Sequence, residues 1–189
     1  MKTRMTAAVI ACAATLATTA TAAAVASQGA SAGTARNGAS PAAGAIPRCT
    51  VGNLSAGLHG SQAGLGNRGF ILTLTNTGNS SCTLDGYPGL GLEDSSHNAV
   101  PSHTHWGSTY FDTDPGPAAI VLSPGETASA DLAYSAGNGT SSDSVATYLQ
   151  VTPPNAFSHL TVPIPGAPVR IYHGNLFVTA MARHTPYSP

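Results

Sequence analysis

The chain has 189 residues, of which 8% are charged and 6% aromatic, and its formal net charge at pH 7 is −1 with histidines neutral. So sparse and balanced a charge leaves no basic stripe for nucleic acid and makes an anionic membrane surface a poor partner. The folded part is long enough for one domain with a single core.

The N-terminus reads as an export signal. Lys2 and Arg4 form a basic start, Thr6 to Ala26 carries no charge, and Ala24-Val25-Ala26 offers the small-x-small pattern of a cleavage site, so residues 1–26 are expected to be removed before Ser27. The rival reading is a membrane anchor, but the stretch is only weakly apolar and no basic cluster follows it; no membrane span is expected after cleavage. Residues 27–48 are rich in Ala, Gly, Ser, Thr and Pro and offer little to bury, which predicts a flexible linker. Cys12 leaves with the signal, and export lets the two remaining cysteines, Cys49 and Cys82, pair in an oxidising compartment. Closing that loop contributes about 3.5 kcal/mol in the chain-entropy model. The alternative is two buried free thiols.

From Cys49 to Arg183 the chain alternates with period two and contains no run of helical periodicity. Phe70, Leu72 and Leu74 share one strand face, and Asn76-Thr77-Gly78-Asn79 turns the chain toward Cys82 and Leu84. Leu90 and Leu92 form another inward face. Ile120 and Leu122 precede the turn Ser123-Pro124-Gly125-Glu126, and Ala128, Ala130, Leu132 and Tyr134 alternate beyond it. Leu149 and Val151 end at Pro153-Pro154, and Leu160, Val162 and Ile164 suit an edge strand because prolines interrupt them. Val169–Tyr172 and Leu176–Met181 flank His173-Gly174-Asn175 as a closing hairpin. The expectation is an all-β, antiparallel two-sheet sandwich, immunoglobulin-like or Greek-key, with seven to nine strands and one disulfide over residues 49–183, and a short tail at 184–189. Its core should include Phe70, Leu72, Leu74, Leu92, Leu132, Leu149 and Val178.

Cys49-Thr50, the Leu-Thr-Leu-Thr-Asn-Thr-Gly run at 72–78, Cys82-Thr83-Leu84, Gly86-Tyr87-Pro88-Gly89 and Leu122-Ser-Pro-Gly125 together resemble domain-of-unknown-function family 4232. This is a group of secreted or envelope-attached proteins of actinomycete type. The resemblance implies a signal peptide or lipid anchor, a low-complexity linker, a β-sandwich and one disulfide. It implies no activity and no site residues.

Residues 101–117 depart from that pattern and are the one place where a site can be argued. His103 and His105 are two apart, as are Asp112 and Asp114, and imidazoles with a carboxylate make a workable ligand set for zinc or copper. The plainer reading is an irregular excursion that cannot sustain a central strand, with Trp106 packed on the sandwich and the histidines unliganded at the surface. Trp106, Tyr110 and Phe111 either form a recognition surface for sugar or peptide or plug the open end of the sandwich. No Gly-x-Ser-x-Gly elbow, phosphate loop or paired carboxylates across a cleft point to catalysis, and no cofactor is implied. The expected role is a non-catalytic binding or adhesion module of the cell envelope or medium, secreted or cell-wall associated. The sequence does not name its partner, for which an envelope protein or a glycan are the candidates. A structural spacer of the envelope is the alternative, and an inhibitor of extracellular hydrolases a weaker one.

Overall fold

The computed structural model describes residues 45–183. The expected signal peptide, most of the expected linker and the tail at 184–189 lie outside the described residues. Within them the chain is all-β, built of thirteen strands and two short turns of 3₁₀ helix.

The strands are β1 (Leu54–Gly64), β2 (Asn67–Asn76), β3 (Cys82–Asp85), β4 (Gly89–Glu93), β5 (Ala99–Val100), β6 (His103–Trp106), β7 (Ala119–Leu122), β8 (Thr127–Ser135), β9 (Ser144–Ala146), β10 (Tyr148–Thr152), β11 (Leu160–Pro163), β12 (Val169–Ile171) and β13 (Asn175–Val178). They form a five-stranded sheet ordered β1-β2-β8-β13-β6, a four-stranded sheet ordered β11-β10-β4-β5, and the pairs β12-β9 and β3-β7. Thirteen strands replace the expected seven to nine because several are only two to four residues long and stop at a proline, glycine or turn.

The two larger sheets share one core. Register aligns Phe70 with Leu132, Leu72 with Ala130 and Leu74 with Ala128, so one face of β2 and β8 is apolar throughout. On the four-stranded sheet Leu149 lies opposite both Leu92 and Val162. All these residues belong to a single buried cluster, which contains every core position read from the periodicity. Burying a leucine of this kind stabilises the fold by about 1.5–3 kcal/mol. Cys49 and Cys82 also sit in the cluster and are bonded to each other, with Cα atoms 4.9 Å apart.

Three expectations are corrected. The segment at 101–117 does contain a strand: β6 pairs in parallel with β13, an edge position that demands little of its flanking prolines and glycine, and the sheet is therefore mixed rather than purely antiparallel. The closing hairpin does not form. β12 pairs with β9, whereas β13 joins β8 and β6, because the 3₁₀ turn Tyr172–Gly174 with His173 at positive φ redirects the chain into the other sheet. Finally, the linker does not stay free up to residue 48. The Pro47 carbonyl accepts from Thr83 N at 2.8 Å, Arg48 bridges Thr83, and Cys49 N donates to the Thr83 carbonyl, so these residues run beside β3.

The outer face of the five-stranded sheet is covered as well. Ser129, Asp131 and Ala133 alternate away from the core, yet all are buried. Residues after β6 cross this face: Phe111 lies against Gly69, where an added Cβ would come within 2.9 Å of its ring and 2.7 Å of the Leu132 carbonyl. The close approach requires glycine there. Thr109 Oγ1 donates to Asp131 Oδ1 at 2.5 Å and Gln62 Nε2 donates to Asp131 Oδ2 at 2.7 Å, so the buried carboxylate pins the crossing segment to β8 and β1. Burial pushes the Asp131 carboxyl above the usual range, against the lowering effect of these two bonds.

Candidate functional site

The β3–β4 connection, the end of β6 and the β10–β11 connection meet at one edge of the shared core. Thr104 Oγ1 donates to the Leu90 carbonyl at 2.9 Å, which ties β6 to β4 and brings Trp106 next to the Gly86-Tyr87-Pro88-Gly89 turn. There the Trp106 indole stacks on the Tyr87 ring, with centroids 5.5 Å apart and planes 13° from parallel. Trp106 Nε1 donates to the Pro88 carbonyl at 3.1 Å, fixing the ring about its own axis. The residue is nevertheless 64% exposed. It is the one tryptophan in the chain.

Tyr87 is held from below. Its hydroxyl donates to Asp114 Oδ2 at 2.5 Å, and Asp114 Oδ1 accepts from Ala180 N at 2.8 Å. Burial pushes the Asp114 carboxyl up, but the Ala180 amide, the Tyr87 hydroxyl and the Gly116 amide together hold it below its ordinary value. The Tyr87 phenol is raised by its bond to Asp114, with partial burial and the adjacent negative charge adding to the effect. Asp114 is thus a brace for an aromatic ring.

The stacked pair forms one wall of a cleft of about 400 Å³, completed by Asp85, Thr152, Asn155 and Ala156. That volume falls in the range of roughly 300–1,000 Å³ usual for small-molecule sites. Asn155 sits at positive φ, and its Nδ2 donates to the Asp85 carbonyl at 3.0 Å, locking the β10–β11 loop against the β3 end. Phe157, next along that loop, is fully exposed. Ring faces, an amide, a hydroxyl and a carboxylate therefore converge on one concavity. They can stack on and hydrogen-bond a ligand; no activated nucleophile lies among them.

The other residues singled out in the sequence are dispersed. Tyr110 and Phe111 meet edge-on at 5.0 Å near Gly64 and Gly69, on the covered outer face rather than beside Trp106 or in the open end. His103 and His105 point away from the core on β6. His105 stacks on Phe177 at 4.8 Å and its Nε2 is 2.9 Å from Asn175 Oδ1. Asp112 Oδ1 accepts from Thr113 N, within its own turn. Among the described residues no three His, Cys, Asp or Glu side chains are placed to hold a metal ion. No helix among them is long and apolar enough to cross a membrane. Tyr87, Asp85, Thr152 and Asn155 were not foreseen as site residues. Gly86-Tyr87-Pro88-Gly89 and Pro153-Pro154 are the signals that could have found them, since rigid turns next to an aromatic often shape a rim.

A model of the family described as "Domain of unknown function (DUF4232)" matches residues 49–182. The chain belongs to that family. The matched span of the DUF4232 domain begins at the disulfide cysteine Cys49 and takes in the whole cleft. No curated protein and no solved structure gave a match.

Proposed function

We propose that this DUF4232 domain is an exported, non-catalytic recognition module that binds a saccharide in the Trp106–Tyr87 cleft. The observation that carries the reading is an indole held rigid by a stacked neighbour and a hydrogen bond yet left 64% exposed in a concavity. A large apolar ring kept in water has a stability cost, and a sugar's C–H face removes that ring from water while its hydroxyls meet polar groups at the rim. Asp85, Thr152 and Asn155 supply those groups. The disulfide fits an oxidising, extracytoplasmic setting. The shared core of two sheets supports a sandwich of Greek-key or immunoglobulin-like kind, with recognition by loops at one end as in other such folds.

The single tryptophan makes the test local. Titration of the protein with soluble oligosaccharides should shift and quench its tryptophan emission, and Trp106→Ala should abolish heat release in calorimetry while leaving the melting temperature within a few degrees. Unchanged emission and no heat across a panel of neutral and acidic saccharides would refute the reading in favour of a structural spacer.

A further inference from the structure

The cleft does not end at Asn155. Asp85 and Asn155 also line a second concavity of about 150 Å³, which continues along β3 to Arg48, Thr83, Ala119 and Pro154. Arg48 is held there by its backbone alone, through the bridge to Thr83 and the neighbouring Pro47 and Cys49 hydrogen bonds. Its side chain has no hydrogen-bond or ion-pair partner among the described residues. Among the described residues Arg183 pairs with Glu126 and Arg68 donates to the Asn67 carbonyl, whereas Arg170 on β12 also has no side-chain partner but lines neither concavity.

Resting on the saccharide reading above, we infer that this second concavity is an anion-accepting subsite, and that the ligand is a saccharide of two or more units bearing a carboxylate on the unit next to the one stacked on Trp106. The chemistry divides along the cleft. At the Trp106 end the walls are aromatic rings, with Asp85, Asn155 and Thr152 as the polar groups. These suit an uncharged pyranose, whose hydroxyls both donate and accept. Beyond Asn155 the one cation in the lining is Arg48, whose guanidinium presents donors in a fork that matches a carboxylate. Asp85 belongs to both concavities, so it marks their junction and accepts hydroxyl donors from either unit. Its negative charge excludes an anion from the middle of the cleft and leaves the Arg48 end as the place where one is accepted. The disulfide at Cys49 and the hydrogen bonds of Pro47 fix the Arg48 backbone relative to the cleft, so less conformational freedom is lost on binding.

Two disaccharides that differ by one lactyl ether, which carries the carboxylate, test this: N,N′-diacetylchitobiose, and N-acetylglucosamine joined to N-acetylmuramic acid. Calorimetry with the purified full chain should show the carboxylated disaccharide binding roughly tenfold more tightly than chitobiose, as one charge-assisted contact allows. Arg48→Gln should erase that difference and leave chitobiose affinity unchanged, and added salt should weaken only the carboxylated ligand. Among the described residues Arg48 has no side-chain partner to lose, and a melting curve confirms that the variant folds. Equal affinity for the two sugars, or a preference that survives Arg48→Gln, would overturn the basic subsite while leaving saccharide binding at Trp106 standing. Failure of both sugars, and of every other saccharide, would instead remove the reading on which the subsite rests.

Discussion

Replacing Asp131 by alanine tests how the outer face of the five-stranded sheet is held. The carboxylate is completely buried, accepting from Thr109 Oγ1 at 2.5 Å and from Gln62 Nε2 at 2.7 Å. Alanine leaves both donors without their acceptor, each at a cost of about 1–3 kcal/mol, and because both are only part-buried, water recovers some of it. The expected loss of stability is about 2–4 kcal/mol. Asparagine is the informative control. Thr109 Oγ1 already accepts from Phe111 N and Asp112 N, so it must donate to position 131, and the asparagine Oδ1 can accept. The new amide then faces Gln62, whose own amide turns over to present its oxygen. Asp131→Asn should therefore lie within about 1 kcal/mol of the parent at pH 7. The pH dependence has a definite sign. Burial, aided by Asp112, raises the folded-state Asp131 above its unfolded value of about 3.9 despite its two hydrogen bonds. A group raised in this way contributes stability below the unfolded value, and the contribution is lost as pH rises through the folded one. The parent should thus lose ground to Asp131→Asn as pH rises from about 4 through the folded-state value. Urea unfolding of both proteins over that range decides it. A parent that gains on Asp131→Asn with rising pH, or an Asp131→Ala loss below about 0.5 kcal/mol, refutes the argument.

Three further outcomes are expected. Cys82→Ser should lower stability by about 2–5 kcal/mol, read by urea unfolding, and reduction of the parent should reproduce it; an unchanged midpoint contradicts a structural role. Gly69→Ala should destabilise by about 1–3 kcal/mol through overpacking against the Leu132 carbonyl and the Phe111 ring. Glu93 is held below its ordinary value by bonds from Gln150 and His97, against burial, so its contribution is present above the unfolded pKa and fades as pH falls through the folded one. Glu93→Gln should accordingly flatten the acid side of the stability profile, and a steeper profile argues against this balance.

The core was legible because the alternation of Phe70, Leu72 and Leu74, and of Ala128, Ala130 and Leu132, states which side faces inward whatever the partner strand is. Partners were not legible. Val169–Ile171 and Asn175–Val178 look like two arms of a hairpin, and only long-range register shows that they serve different sheets. β1 escaped notice because its glycines, His59 and Gln62 dilute its apolar residues, although Ala56 and Leu58 pack on the core. The candidate site was half legible. Trp106 was singled out by its chemistry, but its companion Tyr87 comes from a turn 19 positions earlier, and Asn155 from a loop on a different strand pair. The burial of Asp131 was not legible, because alternation cannot report that a second layer of chain covers the face that carries it.

The Cys49–Cys82 bond also decides how the domain responds to a pull. Tension on the chain preceding Cys49 passes through sulfur directly to the start of β3, so β1 and β2 lie inside a covalently closed loop and bear none of it. The load falls instead on β3 and its antiparallel neighbour β7, where Cys82 stands opposite Leu122 and Asp85 opposite Ala119. Pulled through its N-terminal side, the oxidised domain should therefore extend by the length of residues 82 onward, and only a reducing solution should release the remaining 33-residue separation as slack. An anchored copy of this domain would carry a redox-dependent tether length.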